Sequence, residues 1–270
     1  MNGLAGEMRI LAEAPRRRNL ARIYWLEARS EVLKAMRLPG LVVALLAFPA
    51  MFYLLFGVLM RSGPVGGFNI AEYLLATYGA FGVMNAAIFG FGVGVAAERG
   101  QGWLLLKRAT PMPAGAMLAG RLATSVLFGL AVIALLDVLG FTLGHVRLPA
   151  ATLLELAAVL AAGALPFAAL GLAVGYLAGP NSAPVVCNLI VLPVSFASGL
   201  WIPYPFLPPV VRQIAHGLPA YHYAQLALGV LGKGNHEPVL WSVLYLVGFT
   251  ALMLLLARFG YLRDEGRTFG

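Results

Sequence analysis

Charged residues and cysteine are both scarce in this sequence. Asp, Glu, Lys and Arg make up 11% of the chain, whereas a soluble domain contains about 25%. Hydrophobic residues reach 60%, well above the soluble average of about 45–50%. The single cysteine, Cys187, allows no internal disulfide and no cysteine-based metal site, so we interpret it as a packing residue. This composition excludes an ordinary soluble protein and indicates an integral membrane protein.

Motifs for nucleotide, metal and protease chemistry are missing too. The phosphate-binding pattern GxxxxGK[ST] does not occur, because the Gly232–Lys233 pair has Ala227 where the first Gly belongs. His236 and Glu237 are not followed by the second His of the metalloprotease motif HExxH. An intramembrane serine protease needs a His near its Ser, but all four His residues fall in predicted external segments. We therefore predict no catalytic residue, no metal site and no cofactor bound by this chain.

Long hydrophobic runs are what the sequence has in abundance. A helix needs about 20 apolar residues to cross a membrane. Six runs meet this length: 40–60, 73–97, 122–144, 152–178, 184–202 and 239–257. No signal peptide precedes them, since the first run follows a polar leader. We predict an all-α integral membrane protein with a leader (1–39), a six-span domain (40–257) and a tail (258–270).

The distribution of basic residues predicts the orientation. Fifteen of the 19 Lys and Arg residues fall in the leader, the segment 98–121 and the tail. Short loops rich in Lys and Arg stay on the cytoplasmic side. We therefore expect both termini to be cytoplasmic, in a bacterial plasma membrane. The net charge of +8 is what anionic lipids and insertion require, so we expect membrane lipids and no nucleic acid as partners.

The leader has an amphipathic pattern of its own. As a helix over 19–36 it places apolar residues on one stripe, with Glu27 and Glu31 roughly opposite. The stripe consists of Ala21, Trp25, Ala28, Val32 and Met36. Arg22 and Arg29 lie close to the stripe and can reach lipid phosphates. We predict an interfacial helix formed by this pattern, with an ordinary solvated helix as the alternative.

Four of the polar residues in the predicted spans are candidates for a functional role. Asp137 is the acid that lies well inside a span, and Asn85, Ser195 and Ser198 are uncharged. Polar residues inside a membrane mark substrate or proton paths by default. The alternative for each is a hydrogen bond between helices.

The segment after the fifth run cannot form a straight span. Residues 201–234 are mostly apolar, but they contain Arg212, two His residues and several prolines. A straight span would bury the charge and lose backbone hydrogen bonds at the prolines. Two short helices at about 208–217 and 219–231 fit better, as an external re-entrant hairpin (203–235) that covers the outer end of a path.

The segment between the second and third runs combines charge with an apolar core. Trp103 and three leucines form an apolar run between charged residues. Gly100 and Gly102 permit a bend where the chain leaves the membrane, and Pro111 ends a helix. An ordinary basic loop does not require such an apolar run.

Two stretches of the sequence resemble the ABC-2 type permease family. FASGLWIPYPFLP at 196–208, followed by IAHGLPAYHYAQLALG at 214–229, is similar to the signature of that family. The cytoplasmic pattern is similar as well, through Glu98, Arg99, Gly102, Leu104, Thr110, Pro111, Gly120 and Arg121. The chain departs from the family at Leu105, Gln225 and Leu228, where members commonly carry an acid, an acid and Arg.

The resemblance implies a role for the segment 98–121. In that family it is a coupling helix that docks on a separate ATPase subunit, and the leader helix (Arg22, Trp25 and Arg29 here) contacts the same subunit. The residues assigned to coupling are Glu98, Arg99, Gly102, Trp103, Leu104, Leu105, Leu106, Thr110, Pro111 and Arg121. ATP and magnesium would then bind to the partner, of which two copies serve a homodimer of permeases.

The resemblance also implies an exporter that moves a small amphipathic or lipid-like substrate, such as a drug, an antibiotic or a lipid. The residues assigned to the substrate path are Asn85, Asp137, Ser195, Phe196 and Ser198. Those assigned to the outer lid are Gly199, Pro203, Pro208 and Pro219. Two alternatives stay open: a proton-coupled secondary transporter that uses Asp137, and a scaffold that transports nothing.

Overall fold

The computed structural model describes residues 19–37, 39–59, 69–103, 113–235 and 237–268. This part of the chain contains helices and no strand, in agreement with the all-α prediction. The α-helices are α1 (Leu20–Met36), α2 (Pro39–Phe52), α3 (Ile70–Gly100), α4 (Ala114–Thr142), α5 (Ala150–Ala162), α6 (Ala164–Leu177), α7 (Ala183–Ala197), α8 (Pro209–Ala215), α9 (Pro219–Val230) and α10 (Val239–Thr268). A π-helix, Tyr53–Leu59, continues α2, and a short 3-10 helix, Tyr204–Phe206, precedes α8.

Four helical segments in the described residues are long and apolar enough to cross a membrane. They are Ile70–Gly100, Gly115–Thr142, Ala150–Leu177 and Val239–Arg263, at four of the six predicted runs. The runs predicted at 40–60 and 184–202 contain shorter apolar helices, Leu45–Leu59 and Ala183–Ala197. The chain is therefore a multi-pass membrane protein, and a count of six spans stays a prediction. α10 continues to Thr268, into the predicted tail.

α3 lies at the centre of the bundle, packed mainly against α4 and α6. Asn69 caps its first turn by accepting hydrogen bonds from the backbone N–H groups of Ala71 and Glu72. Glycine allows α3 and α6 to approach closely, because a Cβ on Gly171 would lie 2.7 Å from the carbonyl oxygen of Ile88.

The predicted external helices are present at the predicted positions, as α8 and α9. α9 is almost wholly buried and packs against α3, α5 and α10. Its Tyr223 lies over the break between α5 and α6, where the hydroxyl donates a 2.7 Å hydrogen bond to the carbonyl of Leu160. Gly163 forms this break, and its missing side chain leaves room for the Tyr223 ring. Re-entry of α8 and α9 into the membrane stays a prediction.

α1 forms the predicted helix, capped by the Asn19 side chain, and packs against α4. Trp25 points outward and is 67% exposed, as an interfacial helix requires. Arg22 and Arg29 are exposed as well. Glu31, which the sequence places roughly opposite the apolar stripe, is buried. It lies on the face of α1 that packs on the bundle, where a nearby Lys compensates its charge.

Candidate coupling and translocation site

Three charged residues from three helices meet at the end of the bundle where α3 ends and α4 begins. Glu98 of α3 forms ion pairs with Lys34 of α1 and with Arg121 of α4. Glu98 is 6% exposed and Arg121 is 3% exposed. Arg121 also donates a 3.2 Å hydrogen bond from Nη1 to the carbonyl of Gly90. A buried charge is tolerated when it is paired and hydrogen-bonded, as Arg121 is here.

The local sequence makes this inner charge network (Lys34, Glu98 and Arg121) possible. Gly94 leaves space for the guanidinium, since a Cβ at that position would lie 2.5 Å from Arg121 Nη1. Gly120 lets α1 approach α4, since its Cβ would lie 3.2 Å from the backbone N of Ala28. Glu31 approaches Lys34 at 3.6 Å and completes the contact with α1. The network therefore joins the leader helix to the second and third predicted spans.

Arg99 binds the end of a different helix. Its guanidinium donates to the backbone carbonyls of Gly175 at 2.8 Å and Ala178 at 3.1 Å, and to the carbonyl of Tyr176. The last carbonyls of a helix lack partners inside the helix and attract cations. Arg99 thereby fixes the C-terminal end of α3 to the C-terminal end of α6. Glu98, Arg99 and Arg121, predicted to serve coupling, all contact their own chain, and their role toward an ATPase stays a prediction.

The chain makes a turn just after α3. Gly102 adopts a positive φ of 73°, which favours glycine, so the predicted bend is confirmed here. Trp103 follows it and is 53% exposed, free of burial in its own bundle. The other residues assigned to docking lie outside the residues that the structure describes: Leu104, Leu105, Leu106, Thr110 and Pro111. Their role stays a prediction.

An aromatic cavity of about 440 Å³ lies where the C-terminal ends of α2 and α7 meet the N-terminal end of α3. The described residues that line it carry no charged side chain: Phe52, Phe56, Ile70, Leu74, Tyr78, Phe196, Trp201, Ile202, Pro203 and Phe206. Trp201 is the centre of its wall, with ring centroids 4.6 Å from Phe196 and 5.3 Å from Phe52. Tyr78 donates a 3.4 Å hydrogen bond to the carbonyl of Trp201. Such a cavity suits an apolar or aromatic guest.

Of the five residues predicted to line the substrate path, one lines this cavity and the other four do not. Phe196 lines it and is 48% exposed. Ser195 is buried and donates to the carbonyl of Val191 in its own helix, and Ser198 is buried as well. Asn85 is half-buried on α3 and does not line the cavity. Asp137 is separate too, and its buried Oδ1 has no hydrogen-bond partner among the described residues.

Sequence reasoning did not assign Trp201 to the substrate path, although this residue lies within the quoted motif FASGLWIPYPFLP. An aromatic residue at a membrane interface is common and carried no signal of its own. It missed Lys34 for a similar reason, because an exposed Lys on a leader helix reads as an ordinary basic residue. Only the position of α1 against α4 reveals the partner of Lys34.

The predicted lid residues define turns and helix starts on the outer side. Gly199 has a positive φ of 83°, and its carbonyl accepts a 3.2 Å hydrogen bond from the hydroxyl of Tyr73. Pro203 precedes the 3-10 helix, Pro208 precedes α8, and Pro219 is the first residue of α9. Proline suits the first turn of a helix because its missing N–H would have no partner there. Closure of this lid over a path stays a prediction.

Polar side chains tie the outer helices together. Tyr204 Oη lies 3.0 Å from His216 Nε2, and His216 Nδ1 lies 2.9 Å from Glu237 Oε1. Tyr221 donates a 2.9 Å hydrogen bond to the same carboxylate oxygen of Glu237. This outer network joins the loop after α7 to the loop before α10.

His222 lies beneath this network and is almost fully buried. Its Nε2 donates a 3.0 Å hydrogen bond to the carbonyl of His216, so Nδ1 accepts from the Ser242 hydroxyl at 3.3 Å. Its ring stacks on Tyr245 with centroids 4.1 Å apart. Burial lowers the pKa of His222 below its usual value of 6.5, although Glu237 opposes the shift. His222 is therefore neutral at physiological pH.

Comparison with known proteins agrees with this architecture. The sequence model of the ABC-2 type transporter family matches residues 23–231. This chain belongs to the ABC-2 type transporter family. It is also similar to "Putative transport permease YvfS" of Bacillus subtilis (strain 168), with 26% identity over 231 residues that cover 85% of this chain and 93% of the relative.

Membership confirms the resemblance drawn from the two quoted motifs. The match runs from the first turn of α1 to the end of α9, so it includes the leader helix, the inner charge network and the outer helices. The ABC-2 permease described here is thus a transmembrane subunit of an ABC transporter. In such transporters the ABC ATPase is a separate partner, and membership implies association with one.

Proposed function

We propose that this ABC-2 permease exports a small amphipathic or lipid-like substrate, energised by a separate ATPase. The aromatic cavity is the observation that carries this proposal. Its walls are almost entirely hydrocarbon and aromatic, so burial of an apolar substrate is favourable there, while an ion or a sugar would lose its hydration without compensation.

The proposed energy input enters at the opposite end of the molecule. Exposed Trp103 directly follows the turn at Gly102 and offers an aromatic anchor for a partner surface. A movement of this segment is transmitted directly to α3. It is transmitted to α4 and α1 through the inner charge network, and to α6 through Arg99. ATP and magnesium bind in the partner ATPase.

The proposed assembly contains two permease copies, preferably identical, and two ATPase subunits. It lies in the bacterial plasma membrane with both termini in the cytoplasm, as the excess of Lys and Arg on the inner segments favours. ATP binding closes the ATPase pair and shifts the permeases from an inward-open to an outward-open state. Substrate then passes between facing copies of the second and fifth predicted spans, where Phe196 lies.

A transport assay with paired variants tests this proposal. Inverted membrane vesicles that contain the permease and its ATPase should accumulate an uncharged aromatic dye only when ATP is supplied. Phe196→Ala and Trp201→Ala should reduce this accumulation severalfold, while Phe141→Ala, a change at an exposed position of α4, should leave it unchanged. ATP-independent uptake, or equal activity of all variants, would refute the assignment.

Asp137 keeps a second function open. Asp137 is a half-buried acid inside a predicted span, and its Oδ1 has no hydrogen-bond partner among the described residues, which suits a proton relay. Uptake driven by a pH gradient, without any ATPase, would favour this secondary transporter.

A further inference from the structure

An elongated groove lies beside the inner charge network, between α1, α2, α3 and α4. Its volume is about 340 Å³. Along α3 it extends from Ala86 to the C-cap residue Gln101, which is about 22 Å at 1.5 Å per residue. Most of its wall is apolar, from residues such as Phe89, Val93 and Phe128. The groove is distinct from the aromatic cavity, which lies at the other end of α3.

The charged end of the groove has a defined polarity. Lys34, Glu31, Glu98 and Arg121 all line it. The side chains of Glu31 and Glu98 are 10% and 8% exposed, whereas that of Lys34 is 52% exposed. Lys34 is therefore the most exposed of the four charged side chains, although its ammonium also pairs with both acids. It is the cation at this end of the groove that an incoming anion can approach.

A second feature of this end also points to a ligand. Arg121 is 3% exposed and lines the groove, yet its Nε has no hydrogen-bond partner among the described residues. A buried N–H without a partner costs free energy unless a ligand or water satisfies it. The groove thus combines an apolar channel, an exposed cation and an unsatisfied donor.

We propose that this groove binds one phospholipid of the cytoplasmic leaflet. One acyl chain lies along the apolar wall toward Ala86, and the phosphate lies beside the Lys34 ammonium. The position on α1 supports this occupant, because the outward face of the helix carries Trp25 and Arg29, which suit the depth of lipid head groups. The apolar wall suits an acyl chain, because the chain can pack against it as it does against neighbouring lipid tails.

The bound lipid would act on the same elements that receive the ATPase. It contacts α1, α3 and α4 at once, so its presence stabilises the position of the leader helix against the bundle. This proposal rests on the proposed orientation in the membrane but on no assumption about substrate or direction of transport.

Photo-crosslinking of wild-type protein tests the site directly. The protein is placed in nanodiscs with a trace of phospholipid that carries a diazirine in its acyl chain, and labelled peptides are located by mass spectrometry. We expect label on the α3 and α4 segments that form the groove. A diacylglycerol probe with the same chains lacks the phosphate, so it should label the groove severalfold less than the phospholipid probe does. Both probes should label α10 equally. Equal labelling of the groove by both probes, or no labelling there, would overturn the proposal.

A matched pair of glycine variants separates the groove from the general lipid surface. Gly90→Leu fills the groove, where a Cβ meets only Ser125 Oγ at 3.1 Å. Gly248→Leu adds the same side chain on α10, where nothing lies within 4 Å of a Cβ. Groove labelling should fall severalfold in Gly90→Leu alone. Unchanged labelling in a folded Gly90→Leu protein would contradict the proposed site, and the wild-type probe comparison decides the matter if this variant does not fold.

Discussion

Arg121 of α4 and Glu98 of α3 form an ion pair that lies almost wholly inside the protein. The pair stands where the second predicted span ends and the third begins, on either side of the segment assigned to coupling. Neither side chain can leave its partner without exposing the other as an uncompensated buried charge. The segment that would receive the ATPase is therefore anchored at both ends by one interaction.

Removal of one member of this pair should destabilise the protein strongly. We expect Arg121→Met to cost about 3–5 kcal/mol, the range for breaking a buried pair from one side. A thiol-reactive dye can follow unfolding, since Cys187 is buried and is the single cysteine of the chain. Arg22→Met, at an exposed position of α1, is the control and should unfold near the wild-type temperature. Recovery of much of the loss in Glu98→Met/Arg121→Met would identify the unpaired charge as the cause, whereas an unaffected Arg121→Met protein would contradict the burial of the pair.

The break between α5 and α6 should tolerate no side chain. A Cβ at Gly163 would lie 1.9 Å from a ring carbon of Tyr223, which is fully buried. Gly163→Ala should therefore displace α9 and destabilise the protein by about 1–3 kcal/mol or more. Gly248→Ala has open space and should be neutral or slightly stabilising. Equal unfolding temperatures of the two variants in the thiol-dye assay would show that α9 does not pack over the break.

Capture of the ATPase should depend on one exposed tryptophan and not on another. Trp103 and Trp241 are both more than half exposed, but they lie at opposite ends of the bundle. Trp103→Ala should weaken binding of the ATPase by about tenfold or more, the usual loss at an aromatic anchor. Trp241→Ala should not change it. Affinity measurement on purified subunits gives the result, and identical constants for both variants would remove Trp103 from the docking surface.

Asp137→Asn distinguishes the two driving forces. The substitution keeps the size of the side chain but removes its proton exchange. An ATP-driven exporter should retain most of its transport, measured with ATP in inverted vesicles, because the acid lines no part of the aromatic cavity. A proton-coupled transporter should lose transport entirely. Loss of ATP-driven uptake in a correctly folded variant would assign Asp137 to the mechanism.

The outer helices should loosen in acid. The folded state lowers the pKa of His222, so the neutral form is favoured on folding and protonation opposes it. The stabilisation is complete above the unfolded pKa of 6.5 and declines as the pH falls below that value. Amide exchange over α8 and α9, corrected for its intrinsic pH dependence, should therefore accelerate between pH of about 7.5 and about 5.5. His222→Gln should abolish the change.

The other groups near His222 set the limits of this prediction. The hydrogen bond to the His216 carbonyl and the nearby Glu237 carboxylate favour its protonated form, while the His216 ring opposes it. His216 itself pairs with Glu237 at 2.9 Å. Exchange that slows in acid would contradict the role assigned to His222.

The class of protein, most helix positions and the family could all be predicted from the order of residues alone. Membrane-spanning runs can be recognised from the sequence alone. Charged residues are costly in lipid, so such runs contain few of them. The helices at 20–36, 209–215 and 219–230 lie close to their predicted limits, since Asn19, Pro208 and Pro219 determine where a helix can begin.

The contacts among the polar residues are visible in the packed structure and not in the sequence. Glu98, Arg99 and Arg121 look alike in the sequence as charges around a cytoplasmic segment, yet Glu98 and Arg121 pair with each other and Arg99 binds the end of α6. Contacts between residues far apart in the chain depend on how helices are rotated and packed, and that information is spread over many apolar side chains. The same reason separates Phe196, which lines the aromatic cavity, from Ser195, which is one residue away and points into the bundle.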